Sequence, residues 1–107
     1  MQFASNSIVT SVNFDAVKTI PSSCFCRCSN LTDISIKGCT LIDSAAFSGC
    51  SKITSISLPN CEYVSTYAFY GCSNLEGIDL PNATTVSGST FTNCSNLSYA
   101  YLPVVSS

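Results

Sequence analysis

Residues 50–72 read C-S-K-I-T-S-I-S-L-P-N-C-E-Y-V-S-T-Y-A-F-Y-G-C, and shifted by 22 residues in either direction the stretch falls on a copy of itself. Cys28, Cys50, Cys72 and Cys94 then share one column, and Phe3, Phe25, Phe47, Phe69 and Phe91 share another. A fixed period between about 20 and 50 residues marks a solenoid, in which each unit buries its apolar face against its neighbours. Working outward, residues 1–6 are the tail of a unit, four full units follow at 7–28, 29–50, 51–72 and 73–94, and residues 95–107 begin another. No linker or composition shift divides the chain, so 1–107 reads as a single repeat segment. Both ends cut through a unit, which predicts either an excised segment or ends covered by another chain, since open strand edges invite aggregation.

Each unit opens on L-x-x-I-x-L: Val9-Val12-Phe14, Leu31-Ile34-Ile36, Ile53-Ile56-Leu58, Leu75-Ile78-Leu80 and Leu97-Ala100-Leu102. Alternation in the second half of that pattern predicts a short strand with one buried face. Pro59, Pro81 and Pro103 end the strand where no ladder N–H is needed. In the return half, Ile20, Ile42, Val64 and Val86 precede a small-Phe pair such as Ala46-Phe47. The spacing of Ile42, Ala46, Phe47 and Cys50 predicts one or two helical or 3₁₀ turns. Gly49, Gly71 and Asn93 accept positive φ and predict a sharp corner before the column cysteine; Arg27 breaks that rule and predicts a distorted first corner.

These units resemble leucine-rich repeats, with Cys39 and Cys61 at the N/C position, and LPNCEYVSTYAFYGCSNL resembles the BspA-type subgroup in particular. Departures are local: Cys24 stands for Ala before Phe25, and Asp15-Ala16 and Lys37-Gly38 stand for Pro-Asn, so the first two units are expected to be less regular. The resemblance implies an α/β solenoid with a parallel sheet on the concave face and short helical, 3₁₀ or irregular turns on the convex side. It also implies a cell-surface or secreted protein that attaches to host proteins or other cells.

Charged residues make up 9% of the chain and the net charge is −2, without a basic cluster that would suit nucleic acid. No apolar run reaches the ~18 residues that suggest a membrane span, so direct insertion is not expected. The opening MQFASNSIVTSV lacks the pattern of a signal peptide. Histidine is absent, which removes the usual general base and the Ser-His and Cys-His pairs. Glu62, Glu76 and Asp79 read as solvated acids rather than the paired carboxylates of a glycosidase. No enzyme, cofactor or metal site is expected.

Eight cysteines invite a disulfide reading. Column mates about 4.8 Å apart would fall within Cα bridging range, but their Cβ vectors run parallel, which holds the Cβ atoms apart. One column also accepts Val17 and Ala83, so the slot takes a small buried apolar group and the thiols are expected to be free. The cluster Cys24-Phe25-Cys26-Arg27-Cys28 leaves three alternatives: an irregular unit, a strained local bridge, or converging sulfurs on a metal. The N-x-[S/T] sequons at Asn30, Asn82, Asn93 and Asn96 are expected by chance in so Ser-, Thr- and Asn-rich a chain.

Function therefore falls to the outward strand positions. They form two ladders, Ser11-Asp33-Ser55-Gly77-Tyr99 and Asn13-Ser35-Ser57-Asp79-Tyr101. Solenoids use such ladders as extended binding surfaces. The candidate face is Asp33, Ser35, Ser55, Ser57, Asp79, Tyr99 and Tyr101, with the two tyrosines as its large side chains. The expected partner is a protein or glycan on another cell or extracellular surface. The competing expectation is an architectural segment that associates end to end with further repeats or another subunit.

Overall fold

A computed structural model describes residues 2–102 of the chain; Pro103, with Val104 and Val105, lies outside them. Nine short strands follow the repeat: β1 Ser11–Asn13, β2 Thr19–Ile20, β3 Asp33–Ser35, β4 Leu41–Ile42, β5 Ser55–Ser57, β6 Tyr63–Val64, β7 Gly77–Asp79, β8 Thr85–Val86 and β9 Tyr99–Tyr101. All pairings are parallel and shift by one unit, so the chain winds as a parallel β-solenoid.

There is no helix among the described residues, and the α/β expectation with helical turns is corrected accordingly. The return half divides instead into two faces. Ile20, Ile42, Val64 and Val86 sit on two-residue strands that join in one four-stranded sheet, β2-β4-β6-β8. The segment carrying the Phe column forms a third face of stacked turns. There, turn-closing bonds (Ser48 N–H to Ala45 O, 3.1 Å) alternate with bonds to the next turn (Phe47 N–H to Ala68 O, 2.8 Å; Gly49 N–H to Tyr70 O, 2.7 Å). Each turn thus satisfies its backbone against its neighbours rather than along a helix axis.

Two left-handed residues per unit prevent a helix from propagating. The expected corner holds Gly49 (φ 75°), Gly71 (71°) and Asn93 (62°), and Arg27 (58°) turns in the same sense, so the first corner is not distorted as expected. A second left-handed column lies four residues earlier, at Ser23, Ala45, Tyr67 and Ser89, with φ between 57° and 64°. A bulky residue such as Tyr67 in this region is strained.

The core runs along the axis. Phe25, Phe47 and Phe69 are fully buried, and successive rings from Phe3 to Phe91 stack at 5.3, 5.3, 5.4 and 6.0 Å between centroids. These spacings exceed the ~4.8 Å rise of a strand ladder, so the rings are slightly offset, as their quadrupoles prefer. Ile and Leu of the strand pattern close the core beneath β1, β3, β5, β7 and β9, the face expected to be concave, where Leu31, Ile36, Ile53, Leu58, Leu75 and Leu80 are buried.

Candidate functional site: the concave strand face

The register places the outward residues as neighbours: Ser11 beside Asp33 and Asn13 beside Ser35, then Ser55-Gly77-Tyr99 and Ser57-Asp79-Tyr101. Asp33, Ser55 and Ser57 are exposed, Ser35 and Asp79 are half-buried, and Tyr99 and Tyr101 are 58% and 65% exposed. Both ladders are interrupted between β3 and β5, which belong to separate sheets. Asp33 and Ser35 are therefore not hydrogen-bonded rung neighbours of Ser55 and Ser57.

The break has a local cause. At the other rung boundaries of this face two kinds of bond recur. One enters the strand: Asp33 N–H to Thr10 O at 3.1 Å, Gly77 N–H to Thr54 O at 3.4 Å and Tyr99 N–H to Glu76 O at 3.2 Å. The other leaves it: Phe14 N–H to Ser35 O at 2.8 Å, Leu58 N–H to Asp79 O at 3.0 Å and Leu80 N–H to Tyr101 O at 2.9 Å. The equivalents across β3 and β5, Ser55 N–H to Thr32 O and Ile36 N–H to Ser57 O, are not formed. Beneath β3, Asp15 Oδ1 accepts from Ser35 Oγ (2.7 Å) and from Lys37 N–H (3.0 Å), and Asp15 O accepts from Gly38 N–H (3.1 Å). These bonds hold the end of β3 toward the preceding rung. The Lys37 N–H, with the Ser35 hydroxyl, keeps the Asp15 carboxyl below its ordinary range. Proline at 59 and 81, in place of Lys37, offers no N–H to be captured in this way. A shallow depression of about 400 Å³ runs over β1, β3 and β5, from Ser11, Val12 and Asn13 across Asp33, Ile34 and Ser35 to Ser55, Ile56 and Ser57, and includes the seam.

Toward β9 the face closes differently. The Tyr99 ring lies over Gly77 so closely that a Cβ there would overlap its Cε1, Cζ and Oη. Glycine is thus required for the ring to rest on the sheet. Beside it, Asp79 Oδ1 is buried and has no hydrogen-bond partner, the one such side-chain atom among the described residues. An acceptor in that state costs about 1–3 kcal/mol or more until a donor reaches it.

A family model of the BspA type leucine rich repeat region, in 6 copies, matches residues 2–106. The chain belongs to the BspA-type leucine-rich repeat family. A leucine rich cell surface protein from Faecalibacterium prausnitzii A2-165, known from its crystal structure, is similar at 31% identity and a TM-score of 0.81. The match covers 87% of this chain and 26% of that protein, so the BspA-type segment spans about a quarter of its length. None of the curated proteins matches.

None of the eight thiols of the BspA-type chain is in a disulfide. The main column is more than a set of small apolar plugs, because each sulfur donates to a Phe carbonyl one turn back: Cys28 to Phe3 O (3.0 Å), Cys50 to Phe25 O (3.0 Å), Cys72 to Phe47 O (3.2 Å) and Cys94 to Phe69 O (3.1 Å). Burial pushes the Cys50 and Cys61 thiols up to about 12 and Cys72 up as well, which keeps them protonated and unreactive at neutral pH. In the Cys24–Cys28 cluster the segment is a turn rather than extended. Cys24 and Cys28 point into the core while Cys26 stays half-buried, so three sulfurs do not converge. Among the described residues no three His, Cys, Asp or Glu side chains gather around a common point.

Two other depressions lie off the concave face. The larger, about 550 Å³, is lined by Lys18, Thr40, Asn60, Glu62, Asn82 and Thr84 with Gly38. Its Asn and Thr side chains staple rungs, as in Asn60 Nδ2 to Lys37 O and Asn82 Nδ2 to Pro59 O, both at 2.7 Å. The other is a shelf of about 330 Å³ on the turn face between Ala45, Ser48, Tyr67 and Tyr70, whose two rings meet edge to face. Neither was singled out from the sequence, because the repeated Asn60/Asn82 and Thr40/Thr84 read there as turn residues and the Tyr67 and Tyr70 positions are not repeated.

Proposed function

We propose that the chain is a non-catalytic binding and adhesion module of a cell-surface protein, and that its concave strand face contacts a protein or glycan partner. The observation that carries this reading is the pair of exposed Tyr99 and Tyr101 rings, which continue the outward ladders beside Gly77 and Asp79. Amphipathic rings open to solvent are what a partner's apolar and polar groups together would cover. The surface location is supported by the similar cell surface protein and by the family.

The test is capture of extracellular-matrix proteins and of arrayed glycans by the wild-type chain and by two variants, Tyr99→Ala/Tyr101→Ala and Asp79→Asn. The double variant should lose at least about tenfold in affinity with an unchanged denaturation midpoint, as expected for exposed aromatic anchors. Undiminished capture by both variants would remove the concave face from the role. Light scattering over a concentration series tests the architectural alternative, which requires association that grows with concentration.

A further inference from the structure

We infer that the seam between β3 and β5 is a docking slot for an extended polypeptide segment, read through its backbone. The inference rests on the concave face being the binding surface and narrows the partner to a protein. In a parallel ladder, alternate residues point their N–H and C=O to alternate sides. Asp33 and Ser35 face β1, since Asp33 N–H donates to Thr10 O and Ser35 O accepts from Phe14 N–H. Ile34, with the Thr32 carbonyl and the Ile36 N–H, therefore faces the seam. On the other wall Thr54 O and Leu58 N–H are bonded to β7, which turns Ser55 and Ser57 toward the seam.

Two strand edges thus confront one another with unspent donors and acceptors in the alternating pattern that a peptide backbone matches. Unpaired edges of this kind are templates for strand addition. The seam is confined to one face. Across the same two rungs the second sheet is intact (Ser65 N–H to Ile42 O, 2.9 Å) and so is the turn face (Phe47 N–H to Ala68 O, 2.8 Å), with Phe47 stacked on Phe69 at 5.4 Å. The rungs are hinged at the back and parted in front. Full intercalation needs roughly 9.6 Å between β3 and β5, two ladder spacings, which a further opening about those two faces supplies. Thr32, Thr54, Ser55 and Ser57 are exposed along the slot, and Ile34 is half-buried where Ile56 and Ile78 are buried, so the way in is open to solvent.

The probe is a synthetic peptide with the chain's own strand sequence, residues 53–59 (I-T-S-I-S-L-P), beside the same peptide N-methylated at the amides matching Ser55 and Ser57. Amide exchange and NMR shifts are followed in the intact chain at millimolar peptide. In the free chain the amides of Ile34, Ser55 and Ser57 should exchange much faster than the bonded amides of Asp33 and Leu58. Unmodified peptide should slow the three amides by about tenfold or more, the effect of a few backbone bonds, and the N-methylated peptide should not. The inference is overturned if the three amides are already as slow as Leu58, if they ignore the unmodified peptide, or if both peptides act alike. Loss of partner capture in Tyr99→Ala/Tyr101→Ala with silent seam amides would discard the slot and keep the concave face. Responsive seam amides with undiminished capture in that variant would keep the slot and discard the two tyrosines as the contact.

Discussion

Removing the Phe47 ring tests the stacked core most directly. Phe47 is fully buried and lies between Phe25 at 5.3 Å and Phe69 at 5.4 Å. Phe→Ala in a core costs about 3–5 kcal/mol, the spread reflecting how far the site can collapse. Collapse is restricted here, because Phe47 N–H is bonded to Ala68 O at 2.8 Å and Ala46 O to Phe25 N–H at 2.8 Å. Two ring pairs, each contributing about 0.5–1.5 kcal/mol beyond area, are lost together. The expected cost of Phe47→Ala is therefore near about 5 kcal/mol, a third or more of the ~5–15 kcal/mol that stabilises an ordinary domain. Phe91 is half-buried and stacks on Phe69 at 6.0 Å, so Phe91→Ala should cost roughly half as much. Urea titrations read the difference as a midpoint shift at constant slope. A reduced slope would mean that the stack separates at the cavity into two units of cooperativity. Equal losses at positions 47 and 91, or a loss below about 2 kcal/mol at 47, would refute the axial stack as the main source of stability.

The raised thiols of Cys50 and Cys61 set an alkaline limit: their contribution is complete below pH 9, where the unfolded thiol is still protonated, and declines as pH rises toward about 12. Denaturation midpoints between pH 8 and 10.5 should therefore fall less steeply in Cys50→Ala/Cys61→Ala than in the wild type, and equal slopes would contradict this. Arg27→Gly should raise the melting temperature, with a gain of up to about 1 kcal/mol from relieving a left-handed side chain at φ 58°. Gly77→Ala should displace the Tyr99 ring from the sheet, seen as altered ring shifts in NMR, with little loss of stability because the exposed ring can swing aside. The Asp15 carboxyl should titrate below 3.8 and move toward that value in Ser35→Ala, and its hold on β3 should persist above the ordinary carboxylate range and fade as pH falls through the lowered midpoint.

Features that use the same residue type in every unit were legible in the sequence. The Phe and Cys columns and the strand pattern are of this sort, because identical surroundings select identical side chains. The left-handed column at Ser23, Ala45, Tyr67 and Ser89 was not legible, since none of its members is glycine and their types differ. The second sheet was hidden because a two-residue strand has no period to detect, while the i, i+4, i+5, i+8 spacing of Ile42, Ala46, Phe47 and Cys50 imitates a helix. Arg27 was misread for a related reason: the backbone bonds on both sides of the corner hold it left-handed whatever the residue. On the concave face the two outward ladders could be read off directly. The seam could not, because it depends on Asp15 reaching Ser35 and Lys37 on the next rung, although the replacement of Pro-Asn at both positions marked the place.

The three faces do not share irregularity equally. Rung-to-rung bonding runs unbroken through β2-β4-β6-β8, and the turn face carries the Phe stack and the Cys-to-Phe carbonyl bonds, so these two sides hold the coil together. The broken ladder and the unmet Asp79 Oδ1 both fall on the third side, among the described residues. The backbone bonds missing at the seam, from Ser55 and Ile36, are worth about 0.5–1.5 kcal/mol each, a loss the stacked rings can absorb several times over. Ser55 is exposed to water and can leave its bond unmade at little cost in the free chain, whereas the buried Ile36 N–H carries the larger share of the loss. Making them with a partner returns the same free energy at the moment of binding. A coil braced on two sides can in this way keep a third side incomplete without losing its fold, and under the proposed reading the incompleteness is what a docking strand would complete.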